Sequence, residues 1–287
     1  MSDIRLESLF EMEKIEQGLY RGQTWDLGFG AVFGGQVLGQ AIASAYNTVD
    51  EERMIHSLHS YFLLPGDAKK PVIYDIENMR DGRSFSTRRV KAIQNGRTIF
   101  EMTASFQKPE SGLSHQFADM SQVPPPEELP QDIRFFEDNY DKLSEKMKES
   151  LSYHRPVDIR TVGPANAYKA EKHEPKRAMW MKSRDKLPGS QQLHQASLAY
   201  ASDYNFLSTS LQPHGIVAHD KSLKIATIDH AMWFHKPFKF DDWLLYEMES
   251  PFSGASRGLV QGKIFDQHGV LVATTVQEGL MRQVVKD

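Results

Sequence analysis

Apolar residues recur at two spacings along this chain, and the alternation between them divides it. From Gly34 to about Tyr46 they fall at Val37, Ala41 and Ala45, widened by Leu38 and Ile42. That spacing predicts a helix, and its scarcity of polar positions predicts one wrapped on most sides. Alternating patterns then predict strands at Ile55–Leu63, Val72–Met79, Phe85–Gln94 and Thr98–Phe106. The last two are separated by Asn95-Gly96, a strong hairpin signal. The second half repeats this order. A helix is predicted from Gln192 to Leu211, and strands at Lys224–Phe234, Leu244–Glu249, Arg257–Phe265 and Val270–Val276, with a turn at His268-Gly269.

The two halves also share letters. Val72-Ile73-Tyr74-Asp75-Ile76-Glu77 matches Leu244-Leu245-Tyr246-Glu247-Met248-Glu249, and Gly then Ser follow in each, at Gly82 and Ser84 and at Gly254 and Ser256. A duplicated unit is the economical explanation. Between the halves the composition changes. Pro124-Pro125-Pro126 through Pro130 reads as an extended linker. Gln131–Leu151 is charged and helix-forming, and reads as a connector packed outside or as a lid. Arg155–Val162 and Arg177–Lys182 read as further strands. The expected organisation is a first unit at 1–108, a linker with a charged helix at 109–152, and a second unit at 153–287. Each unit is an antiparallel sheet curved round one long helix, an α+β double hot-dog whose units join sides to bury faces that neither covers alone.

Composition narrows the chemistry. The 287 residues are 40% hydrophobic and 25% charged, with a net charge of −4, so nothing points to nucleic acid or an acidic membrane surface. There is no cysteine, which excludes disulfides, thiolate–zinc sites and a cysteine nucleophile. The N-terminus lacks the apolar run of a secretory signal and the C-terminus lacks a peroxisomal address, so a cytoplasmic location is expected. The uncharged stretch Leu27–Val49 holds too many glycines and polar residues to span a membrane. Serine-hydrolase, P-loop and His-Glu-x-x-His motifs are missing, and Gly28-x-Gly30 before Gly34-Gly35 misses the dinucleotide spacing. His230 and His235 share a predicted strand at odd separation, a poor geometry for a metal. No cofactor and no metal are expected.

One residue breaks the second helix's pattern. Its apolar stripe is Leu193, Ala196, Tyr200, Leu207 and Leu211, and Asp203 falls on that stripe. A carboxylate removed from water needs a partner, so Asp203 is either a structural hydrogen-bonding group or the centre of a site. Thr227, on a predicted strand, and Gln277, at the end of the last one, carry little signal alone. Asp229, on the predicted face of Thr227, and His56, at the equivalent strand of the first half, are spare candidates. Arg88, Arg89, Lys91, Lys69 and Lys70 are basic candidates for phosphate contacts or ordinary solvated positions.

Several blocks resemble the bacterial acyl-CoA thioesterase II family. They are Val32-Phe33-Gly34-Gly35-Gln36-Val37, His59-Ser60-Tyr61-Phe62-Leu63, Arg80-Asp81-Gly82, Ser202 to Leu207, Ala226 to His235, and Thr275-Val276-Gln277-Glu278-Gly279. The resemblance covers nearly the whole chain and is weakest from Pro109 to about Leu151. It implies a double hot-dog hydrolase of medium- and long-chain acyl-CoA, acting as a homo-oligomer, dimer or tetramer. An Asp, a Thr and a Gln would hold the hydrolytic water, matching Asp203, Thr227 and Gln277. Asp203 would act as base, and backbone N–H groups at a helix start such as Gly34-Gly35 are one source for an oxyanion site. Two rivals are a hot-dog enoyl-CoA hydratase and a non-catalytic acyl-CoA binding module. The hydratase pattern Asp-x-Asn-Pro-aliphatic-His meets Asp203-Tyr204-Asn205-Phe206-Leu207-Ser208, lacking the Pro and the His.

Overall fold

The computed structural model describes residues 5–27, 31–132, 141, 156–163, 170–218, 220 and 222–284. Thirteen strands lie among them. In chain order they are β1 Glu13–Glu16, β2 Leu19–Gly22, β3 Met54–Phe62, β4 Val72–Asp81, β5 Phe85–Gln94, β6 Arg97–Gln107, β7 Val157–Val162, β8 Lys176–Ser183, β9 Leu223–Thr227, β10 Asp229–Phe234, β11 Leu244–Gly254, β12 Arg257–Asp266 and β13 Leu271–Gln283. The helices are α1 Leu6–Leu9, α2 Gly34–Tyr46 and α3 Gln191–Ser202.

The strands form one antiparallel sheet in the order β1-β2-β4-β5-β6-β3-β10-β13-β12-β11-β8-β7, with β9 also paired to β13. The order is a mirror about the β3–β10 seam. On each side the long meander curls round one helix, α2 or α3, giving the double hot-dog. The expected strands are present, except that Lys224–Phe234 is two, β9 and β10, divided at Ile228, and Asn95 and Gly96 adopt the positive φ values of 50° and 73° that a tight hairpin turn requires.

The register carries the duplication further than the letters do. Bulges interrupt β3 between Ile55 and Ser57, β4 between Asn78 and Arg80, and the β5–β6 pairing between Ala92 and Ile93. The second half breaks at corresponding places: at Ile228, which separates β9 from β10, between Glu249 and Phe252, and between Ile264 and Phe265. Aligning Val72–Glu77 with Leu244–Glu249 and following the pairings makes Ile228 the counterpart of His56.

Two further expectations are corrected. The second helix does not run unbroken to Leu211. It stops at Ser202, the chain turns with Asn205 at φ 58°, and a 3-10 segment, Leu207–His214, follows. Asparagine tolerates this left-handed conformation, and apolar residues on the far side of the break preserve the spacing of four, which hides it. The last strand runs to Gln283 and not to Val276, so Gln277 lies within it. α1 and β1 were not anticipated; Leu6 and Leu9 are buried despite the charged residues around them. The segment after β6 straps across the second unit, with Gln116 bonded to Gly269 and Leu271, Ser121 to Glu247, and Pro124 to the Trp180 indole. It contains a 3-10 turn, Pro126–Glu128. The charged helix expected at Gln131–Leu151 lies largely outside the described residues.

The two central helices pack against each other through glycines. A Cβ on Gly35 would stand 2.1 Å from the Tyr200 carbonyl oxygen, and one on Gly39 would stand 2.9 Å from that of Ala196. The N-terminus of α2 therefore lies against the C-terminus of α3. Gly35→Ala is expected to destabilise the fold by about 3 kcal/mol, the upper range for overpacking, because backbone and not a flexible side chain blocks the methyl. Gly112→Ala, with nothing within 4 Å, is the control. Urea midpoints of the two variants against the parent check this.

Candidate active site

Asp203 is the C-cap of α3, with φ −84° and ψ −11°. A carboxylate there is disfavoured by the negative end of its own helix dipole, but the helix approach puts the positive end of α2 beside it. The Gly35 N–H donates to Asp203 Oδ2 at 3.0 Å. Any side chain at Gly34 would meet the same oxygen, at 2.7 Å. The other carboxylate oxygen accepts a long hydrogen bond, 3.4 Å, from the Thr227 hydroxyl. The Gln277 amide nitrogen donates to Thr227 Oγ1 at 3.1 Å. Asp203, Thr227 and Gln277, which come from a helix end and two strands, are thus joined in space, at a place completed by α2 of the other unit.

The bulge at Ile228 is what aims Thr227. Strict alternation would put Thr227 and Asp229 on one face and His230 on the other. The extra residue shifts the pairing, so Thr227 stands opposite Gly279 while Ala231 stands opposite Val276. Thr227 and His230 consequently share the helix-facing side with Gln277. The expectation that Asp229 faces with Thr227 fails for this reason. Its carboxylate instead accepts the Glu278 backbone N–H at 2.7 Å, closing the irregular stretch of ladder.

His230 is the residue that sequence reasoning passed over. It is 1% exposed. Nδ1 lies 2.7 Å from Gln277 Oε1, and Nε2 lies 3.1 Å from Ser202 Oγ. Its polar character on the buried face of β10 was the available signal. Tyr246 braces the same end of α3, donating to the Ser202 carbonyl at 3.2 Å and lying 2.8 Å from Thr275 Oγ1.

The remaining candidates stand elsewhere. His56 Nε2 bonds Ser105 Oγ at 2.8 Å, and burial lowers its pKa. Arg88 is 2% exposed, bonded to Asp81 Oδ1 and to Thr48, so it cannot reach a phosphate in solvent. It lies on the core-facing side of β5, and alternation alone did not reveal which side that was. Arg89 pairs with Glu77 and Glu101, and Lys70 with Asp67 and Asn95. Lys91 lies between Asp75 and Glu101 in the sheet, and Lys69 is exposed in the loop before β4. Among the described residues no cluster of three or more His, Asp or Glu could hold a metal, and no helix is long and apolar enough to cross a membrane.

The duplicated register identifies what the other unit has at the same corner. Ile55 corresponds to Thr227, Leu58 to His230 and Ala104 to Gln277, and Asn47 caps α2 as Asp203 caps α3. That corner is filled by a closed ring of hydrogen bonds among Tyr46, Gln195 and the backbone of Ile55. Only one corner of the two carries acid–base groups.

The fold and this single polar corner define a double hot-dog protein. Family models described as acyl-CoA thioesterase and as acyl-CoA thioesterase N-terminal domain match residues 146–280 and 22–107. The chain is similar to acyl-CoA thioesterase 2 of Haemophilus influenzae, 43% identical over 98% of this chain and 99% of the relative. It is 40% identical to acyl-coenzyme A thioesterase 8 of Homo sapiens over 98% of this chain and 90% of that one. The solved acyl-CoA thioesterase II TesB2 of Mycobacterium marinum superposes with a TM-score of 0.79 at 40% identity, covering 97% and 98% of the two chains. The chain belongs to the acyl-CoA thioesterase family and is an enzyme of that class.

Burial pushes the Asp203 carboxyl above its ordinary pKa, against the opposing pull of His230, the Gly35 N–H, Gln277 and Thr227. Burial likewise lowers His230, which keeps the imidazole neutral. A carboxyl whose folded pKa is raised favours the folded state most below its unfolded pKa, about 4, and loses that contribution as pH rises through the folded value. Asp203→Asn, which keeps an acceptor for Gly35 without a charge, is therefore expected to be more stable than the parent at neutral pH and no more stable at pH 4. Denaturant melts at the two pH values check the difference.

Proposed function

We propose that the chain hydrolyses medium- and long-chain acyl-CoA thioesters at this corner, using a water held by Asp203, Thr227 and Gln277. The observation that most supports it is the position of Asp203. It is a desolvated carboxylate fixed by a helix N-terminus of one unit and joined to a hydroxyl and an amide of the other. Asp203 takes a proton from the water as its oxygen attacks the thioester carbonyl. The tetrahedral adduct collapses, CoA leaves as thiolate, and the proton returns from Asp203 to the sulfur. A raised pKa makes the Asp203 carboxylate a stronger base than an exposed aspartate. Thioesters are electrophilic and thiolate leaves readily, so an oriented water and one base suffice without metal or covalent nucleophile.

The hydratase reading needs a second acid–base group. Position 208 is serine, and both ring nitrogens of His230 are engaged, by Gln277 and by Ser202. The binding-module reading gives no reason for a destabilising carboxylate beside Thr227 and Gln277. We further propose that the chain is a homo-oligomer that works in the cytoplasm.

The test is release of free CoA, followed with a thiol reagent across saturated acyl-CoA lengths. Asp203→Ala and Gln277→Ala are each expected to lower kcat by about 10²–10⁴, and Thr227→Ala by less. The acid limb of kcat/KM should fall at a pH above that of a free carboxyl, about 4. With a 2-enoyl-CoA as substrate, loss of enoyl absorbance without thiol release would instead favour the hydratase. Tight acyl-CoA binding without turnover would favour the binding module.

A further inference from the structure

We propose that His230 is a positioning residue of this site: its Nδ1–H holds the Gln277 carbonyl oxygen and thereby turns the Gln277 amide N–H groups toward Thr227 and Asp203. The inference deepens the reading of Asp203, Thr227 and Gln277 as the water-holding group and rests on it.

A glutamine amide presents an acceptor at one end and donors at the other, and rotation by half a turn exchanges them. A water about to give its proton to Asp203 needs the donors on its side, so that they support its developing hydroxide character. The neighbour behind the amide decides this. Gln277 Oε1 can only accept, so Nδ1 of His230, 2.7 Å away, is the protonated nitrogen. The imidazole is neutral, so Nε2 is an acceptor; the Ser202 hydroxyl 3.1 Å away shares its one proton with the Ala199 carbonyl, 2.8 Å from the same oxygen. From the imidazole inward the hydrogen bonds then run in one direction: His230 to Gln277, Gln277 to Thr227, and Thr227 to Asp203. The other tautomer of His230 would accept at Nδ1 and draw the amide nitrogen away from the site.

Two further observations fit a positioning role. His230 is enclosed, with the Phe206 ring 5.8 Å away and its own carbonyl taken by Ser60 Oγ at 2.8 Å, so it does not reach a substrate. In the unit without acid–base groups the equivalent residue is Leu58, which is fully buried. A sheet of this register therefore accommodates leucine at that place, and a histidine is not needed to build it.

Steady-state hydrolysis of decanoyl-CoA by a set of variants tests the proposal. His230→Leu is expected to lower kcat about 10- to 100-fold, as loss of orientation does, with KM within about threefold. His230→Asn, whose amide nitrogen can stand where Nδ1 stands, should recover most of that loss. Should the leucine variant not fold, His230→Gln replaces it, since its amide reaches the place of Nε2 and not of Nδ1. His230→Leu combined with Gln277→Ala should be no slower than Gln277→Ala alone, because the histidine acts through the glutamine. The proposal is overturned if the leucine or glutamine variant turns over at the parent rate, if asparagine rescues nothing, or if the losses multiply in the double variant. Asp203→Ala run alongside separates the two levels. If it and Gln277→Ala retain full turnover, the water-holding reading itself falls. If they are slow while His230→Leu is not, only the role of His230 falls.

Discussion

Everything at the polar corner around Asp203 depends on how closely two helix backbones approach. Gly35 and Gly39 let α2 lie against the Tyr200 and Ala196 carbonyls of α3. This brings the start of one helix to the end of the other. Without that contact Asp203 would be a carboxylate at the unfavourable end of its own helix dipole, removed from water with little to offset the cost. With it, the Gly35 N–H and the aligned peptides behind it face the charge. The packing of the two units and the electrostatics of the site are thus one interaction, which couples the chemistry to the assembly of the fold.

The sheet contributes a second constraint through an irregularity. A regular strand could present Thr227 or His230 to the helix, but not both, because they are three residues apart. The bulge at Ile228 adds the residue that makes both available. Gln277, on the neighbouring strand, can then bond to each at once, through its oxygen to His230 and its nitrogen to Thr227. The counterpart bulge at His56 is kept in the other unit, where Ile55 and Leu58 use the same geometry for packing.

Much of this was legible in the sequence because it depends on local periodicity. The helix over Gly34–Tyr46, the strand Phe85–Gln94 and the Asn95-Gly96 turn all follow from spacing and turn chemistry. Asp203 stood out as a charge on an apolar stripe. Its partners did not, since threonine in a strand and glutamine beside one are ordinary, and resemblance rather than pattern supplied them. The features that were missed are those that spacing cannot encode. A bulge resets alternation without any marker residue, which misplaced Asp229. The break at Asn205 leaves the four-residue apolar spacing intact, which lengthened the second helix. The role of Gly35 depends on a helix 168 positions away in the chain. Arg88 looked like a solvated cation because its partners, Thr48 and Asp81, are set by the fold.

The ring of hydrogen bonds among Tyr46, Gln195 and Ile55 has an evolutionary consequence. A chain that arose by doubling a smaller unit began with two equivalent corners, and only one of them now carries acid–base groups. The other has been closed with a tyrosine and a glutamine that tie the helices to the seam strand. That corner no longer has to tolerate a destabilising charge or admit substrate, so its residues are free to be chosen for cohesion alone. Doubling the unit within one chain thereby separates two demands that a symmetric pair of identical subunits must meet with the same residues, and lets the closed corner offset the cost of the one that holds the buried charge.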